Sequence, residues 1–84
     1  MAKNKKWYVY IIGCSDGSFY TGITTDILRR LGEHNSGKGC SYTRSRLPVR
    51  LLYKEPAADR PSALKREHLI KSFPRVRKEQ LVNQ

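Results

Sequence analysis

Three groups of side chains in this sequence have the types and spacing for chemistry. They are a glutamate on an apolar helix stripe, a pair of strand tyrosines, and an arginine with a histidine four residues on. Glu67 lies in Ala63-Leu64-Lys65-Arg66-Glu67-His68-Leu69-Ile70-Lys71 and, at about 100° per residue, shares a stripe with Ala63, Leu64 and Ile70. A carboxylate there is expensive unless it meets a cation or a metal, and residue types alone leave both partners open. Magnesium needs only one or two protein carboxylates and keeps several waters, so one glutamate suffices. Arg30 and His34 follow Ile27 and Leu31, with Arg30 at the edge of that arc and Arg29 and Glu33 pointing away. Read alone, this pattern gives a surface arginine and a hydrogen-bonded core histidine. Tyr10 and Tyr20 can orient or deprotonate an attacking water, provided the phenol pKa falls from about 10.

These side chains need a scaffold, and the punctuation of the chain predicts one. Trp7 to Ile12 and Ser18 to Ile23 are aromatic and β-branched runs around Ser15-Asp16-Gly17, a hairpin signal. A two-residue Asp16-Gly17 turn would put Tyr10 and Tyr20 on opposite faces. A three-residue loop with Gly17 left-handed pairs Cys14 with Ser18 and gathers Tyr10, Ile12, Tyr20 and Gly22 on one face, which is the register expected here. A helix follows from Asp26 to about Asn35, capped by Thr24 or Thr25 and stopped by Gly37. Next come a loop from Ser36 to about Leu47 and a strand from Val49 to about Glu55, in which Val49, Leu51 and Tyr53 alternate with Arg50, Leu52 and Lys54. Asp59 caps a helix from about Arg60 to Ser72, and Pro74 begins a last helix to about Val82. The fold class is α+β: a three-stranded, mainly antiparallel sheet flanked by helices, in the order β-β-α-β-α-α, with the most apolar strand, the first, in the middle.

With 84 residues the chain makes one domain, 1–84, with residues 1–6 a flexible basic start. No apolar run approaches the roughly 18 residues of a membrane span, and the start shows no signal segment, so a cytoplasmic protein is expected. Cys14 and Cys40 are too few for a disulfide framework or a structural zinc site and read as thiols. The 17 Lys and Arg against 7 Asp and Glu give a net charge of +10, which makes nucleic acid the first partner to test. Gly22 leaves room for a phosphate or metal near the sheet. Lys38, Tyr42, Arg44 and Arg46, in a loop rich in glycine and hydroxyls, are candidate phosphate contacts, although the loop lacks the P-loop pattern. Tyr8, Tyr42 and Tyr53 also read as packing residues, and His68, Asp59 and Asp16 as surface, cap and turn.

Tyr8-Val9-Tyr10 and Tyr20-Thr21-Gly22 stand where the two triplets of the GIY-YIG endonuclease family belong, and the chain resembles that family. Arg30 comes ten residues after Tyr20, His34 four beyond it, and Glu67 lies on a later helix, so the likeness covers nearly the whole chain. It is greatest to small stand-alone bacterial members. The resemblance implies a divalent-metal-dependent endonuclease acting on nucleic acid, with DNA favoured and a possible place in DNA repair or processing. Its implied site is Tyr10, Tyr20, Arg30, His34 and Glu67. Glu67 holds Mg2+ or Mn2+, Arg30 neutralises developing charge, one tyrosine handles the water, and His34 tunes a phenol by hydrogen bond. A monomer with no obligate protein partner is expected. The alternatives are a non-catalytic DNA- or RNA-binding module of the same fold, or a structural, ribosome-associated protein.

Overall fold

The computed structural model describes residues 6–84; most of the expected flexible start falls on residues 1–5, outside the described residues. Strands β1 (Trp7–Gly13), β2 (Phe19–Thr24) and β3 (Arg50–Ala57) form one antiparallel sheet in the order β2-β1-β3. The most apolar strand is central because both its faces can then be covered: Val9, Tyr10, Ile11 and Ile12 are all buried. The connecting loop has the expected odd length. Cys14 N–H donates to Ser18 at 2.9 Å, Gly17 N–H to Cys14 at 3.0 Å, and Gly17 takes a left-handed φ of 85°.

Helix α1 (Ile27–Asn35) is capped by Asp26, whose carboxylate accepts from Arg29 N–H at 3.1 Å. The expected cap, Thr24 or Thr25, falls short: Thr24, two residues before the cap position, accepts from Asp26 N–H instead. Gly37, with φ 85°, ends the helix as expected. The loop that follows contains a single turn, α2 (Ser41–Arg44), which its polar composition did not signal. Its buried member is Thr43, so tertiary contact holds a turn that propensity would not. Helices α3 (Arg60–Ser72), capped by Asp59, and α4 (Arg75–Val82), entered through Pro74, keep the expected bounds. Among the described residues no helix is long and apolar enough to cross a membrane.

Two cores lie on opposite faces of the sheet. Val9 and Ile11 pack against Ala63 and Ile70 of α3 on one side; Tyr10 and Ile12 meet Ile27 and Leu31 of α1 on the other. Fully burying an aliphatic side chain is worth roughly 1.5–3 kcal/mol, so these few residues carry much of the fold. The alternation expected along β3 is broken: the register shifts between Ile11 and Ile12, which face Tyr53 and Leu51. Leu52 is the extra residue of this bulge, so Leu51 joins the α1 side while Tyr53 turns to the α3 side. Leu64 also departs from expectation. It is 38% exposed, and the buried stripe of α3 consists of Ala63 and Ile70 with Glu67 half-buried between them.

A Cβ at Gly22 would stand 2.6 Å from the Tyr10 hydroxyl, whereas one at Gly32, on the exposed side of α1, would meet nothing within 4 Å. Gly22→Ala should therefore lower unfolding stability by about 1–3 kcal/mol through overpacking. Gly32→Ala should raise it by about 0.5–1 kcal/mol through helix propensity. Urea unfolding of the two variants checks both signs.

Candidate active site

Tyr10 pairs with Gly22 and Ile12 with Tyr20, so both phenols rise from the face that α1 covers. The space over Gly22, expected to admit a phosphate or metal, is filled by the Tyr10 ring. His34, in the last turn of α1, is fully buried between them. Its Nε2 lies 3.0 Å from the Tyr10 hydroxyl and its Nδ1 2.8 Å from Thr43 Oγ1. The Tyr20 ring meets the imidazole edge to face at a centroid distance of 5.4 Å. Gly39 closes the remaining side so tightly that a Cβ there would overlap His34 Nδ1.

Arg30 borders this group. Its guanidinium donates to Glu33 at 2.9 Å and to the Gly39 carbonyl at 3.2 Å, while its side chain keeps 28% exposure. Burial raises the Tyr10 pKa, opposed by the neighbouring Arg30 and reinforced by the negative charge of Glu67. Burial, with the neighbouring Cys40 thiol, raises that of Tyr20 further. The His34 pKa is lowered, first by burial and then by the Arg30 charge, so its neutral form is favoured.

Glu67 approaches from α3, the helix of the opposite face, on the side of β2. Its carboxylate is 17% exposed, and Oε2 lies 3.2 Å from Lys71 Nζ. Lys71 in turn stands 6.0 Å from the Tyr20 ring centroid, which brings this ion pair alongside the phenols. The residues expected to share a site, Tyr10, Tyr20, Arg30, His34 and Glu67, do converge. The need of the half-buried Glu67 carboxylate for a cation is met by Lys71, one turn on. A pairing at that spacing could have been read from the sequence.

Among the described residues no group of three or more His, Cys, Asp or Glu side chains gathers to hold a metal. A lone half-buried carboxylate excludes a closed zinc site but fits magnesium or manganese, which keep most of their coordination for water and phosphate. Glu67 is the residue that would hold such an ion.

The expected phosphate contacts divide. Lys38 and Arg44 are exposed and make no ion pair among the described residues. Arg46 is a strut: it donates to Asp16 at 2.9 Å and to the Tyr42 carbonyl at 2.7 Å, and covers the Tyr42 ring at 4.0 Å. Tyr42 stacks on Tyr20 at 5.8 Å, extending the aromatic wall of the site. Thr43 and Gly39 had no signal of their own, because their roles come from contacts across the fold and not from a local pattern.

Residues 6–79 match the family model of the GIY-YIG catalytic domain. The chain is 57% identical over 77 residues to UPF0213 protein DP2720 of Desulfotalea psychrophila, covering 90% of this chain and 70% of that one. With UPF0213 protein HQ_3675A of Haloquadratum walsbyi it shares 53% over 81 residues, 96% of this chain and 91% of the relative. Two solution NMR structures are similar to it. UPF0213 protein BH0048 from Bacillus halodurans has a TM-score of 0.59 at 47% identity, covering 93% of this chain and 83% of that one. Protein EF2693 from E. faecalis has a TM-score of 0.64 at 44% identity, covering 99% and 88%. With Tyr10, Tyr20, Arg30 and His34 on the α1 side of the sheet, Glu67 reaching toward them from α3, and the match spanning nearly its whole length, the chain belongs to the GIY-YIG family, whose domain is a nuclease domain.

Proposed function

We propose that this protein is a divalent-metal-dependent endonuclease that hydrolyses phosphodiesters of nucleic acid, DNA in the first place, as a cytoplasmic monomer serving DNA repair or processing. The observation that carries the reading is the buried Tyr10–His34 pair with Arg30 beside it. Tyr10 is the better candidate for the base, because it has a proton acceptor in His34 and a cation to stabilise its oxygen, while Tyr20 is shifted further from reactivity.

In the proposed step, water gives a proton to the Tyr10 oxygen as the phenol proton passes to His34 Nε2. The hydroxide adds to phosphorus, the bond to the leaving sugar oxygen breaks, and that oxygen takes a proton from solvent. Arg30 offsets the charge growing on the phosphoryl oxygens. Tyr20 shapes the wall against which the substrate lies. Magnesium or manganese held by Glu67 would supply Lewis-acid neutralisation of the phosphate. Exposed Lys38 and Arg44, with Tyr42 at the rim, would take flanking phosphates and sugar.

The second reading is a non-catalytic nucleic-acid binder of the same fold. The raised pKa of both phenols favours it, since burial disfavours the phenolate. Cleavage decides between the two.

Incubation with linear and branched DNA should give magnesium- or manganese-dependent cutting that Glu67→Ala abolishes while DNA binding persists; full activity in that variant would remove Glu67 from the mechanism. Binding should weaken linearly in log salt, with a slope of about −0.9 for each phosphate engaged. Affinity that stays flat with salt would remove the electrostatic account. Transfer of the phenol proton needs neutral His34, whose pKa lies below its ordinary 6.5. Cleavage should therefore survive as pH falls past 6.5 and fail only through the lower folded-state pKa, an order visible in the pH profile of kcat/KM.

A further inference from the structure

The proposed mechanism requires Nε2 of His34 to carry a lone pair, yet an imidazole has two neutral tautomers, and only one of them can accept the Tyr10 proton. The surroundings of the ring bear on which is present. On one side, Arg30 stands beside the Tyr10 oxygen and can only donate. The guanidinium charge nearby favours turning the phenol's lone pairs toward Arg30 and its proton toward Nε2, 3.0 Å away. On the other side, Thr43 Oγ1 lies 3.4 Å from the Cys40 carbonyl, an acceptor only, in the backbone contact that helical threonines make. A hydroxyl donating there turns a lone pair toward Nδ1, 2.8 Å away. Thr43 is itself fully buried, so no water can take its place at the ring. Both ends of the chain of hydrogen bonds therefore favour a proton on Nδ1 and a free Nε2.

We propose that Thr43 is a positioning residue that holds His34 as the Nδ1–H tautomer and so presents the Nε2 lone pair to Tyr10. The sequence Tyr10 O–H to Nε2, Nδ1–H to Thr43 Oγ1, and Thr43 O–H to the Cys40 carbonyl then runs in one direction. It ends at Cys40, whose backbone carbonyl accepts from the hydroxyl and whose thiol sulfur lies 3.5 Å from Thr43 Oγ1. Gly39 supports the arrangement from the side, since its bare Cα lets the α2 turn come close enough for Thr43 to reach the ring. The role assigned to Tyr10 rests on the nuclease reading, but the tautomer does not.

The test is nitrogen-15 NMR of histidine-labelled protein near neutral pH, free of substrate and metal, together with cleavage kinetics. Wild type should show a protonated Nδ1 and a pyridine-like Nε2 at His34. In Thr43→Val the ring loses its fixed tautomer, and kcat should fall about tenfold or more with KM little changed. Thr43→Ser, which keeps the hydroxyl, should restore both. An Nε2–H tautomer in wild type, or a ring unchanged by Thr43→Val, would overturn the assignment. Should the valine variant fail to fold, the wild-type spectrum alone still decides. If no substrate is cut while wild type shows Nδ1–H, the nuclease reading fails and the tautomer assignment stands.

Discussion

A neutral imidazole sealed from water must have a partner on each nitrogen, and that requirement at His34 ties the molecule together. An unmet buried donor or acceptor costs about 1–3 kcal/mol, a large part of the stability of so small a domain. One partner, Tyr10, comes from the central strand, and the other, Thr43, from a single helical turn that also rests on Tyr20 through Tyr42. The ring itself belongs to α1. Three elements are thus locked by two hydrogen bonds, and two glycines make the room: Gly22 beneath the phenol and Gly39 against the imidazole. Among the described residues no buried side-chain nitrogen or oxygen lacks a partner, so the network is complete.

The charges follow a similar economy. Glu33, Asp16, Glu55, Glu67 and Glu79 each pair with a basic side chain, Asp26 caps α1 beside Arg29, and Asp59 caps α3. All 7 acidic residues of the chain are thereby engaged, so the excess of +10 has no internal anion to meet. Some cations are structural, as when Arg75 reaches the Gly17 carbonyl at 2.9 Å and covers Phe19 at 3.8 Å. Others, such as Lys38 and Arg44, face solvent. Such a surplus beside a tyrosine–arginine site is suited to a polyanion.

Much of this was legible in the residues because the signals were local. Ser15-Asp16-Gly17 specified the hairpin register, and with it the shared face of Tyr10 and Tyr20; Asp59, Pro74 and Gly37 marked helix ends. Glu67 could be singled out because a carboxylate on an apolar stripe needs a partner. What escaped depends on distant contacts. The α2 turn exists because Thr43 meets His34, and the bulge at Leu52 exists because β3 must serve a different core at each end. Leu64 looked like core only because periodicity cannot tell where a helix face ends. Gly22 was read as an opening toward substrate, but its space belongs to Tyr10.

The most direct measurement is single-turnover cleavage by Tyr10→Phe, which keeps the ring over Gly22 and removes only the hydroxyl that meets His34. The account predicts the same fold and DNA affinity, with stability lowered by about 1–3 kcal/mol for the unpaired His34 nitrogen and cleavage slowed by about 10²- to 10⁴-fold, the usual contribution of a positioned acid–base group. Cleavage at the wild-type rate in Tyr10→Phe would contradict it.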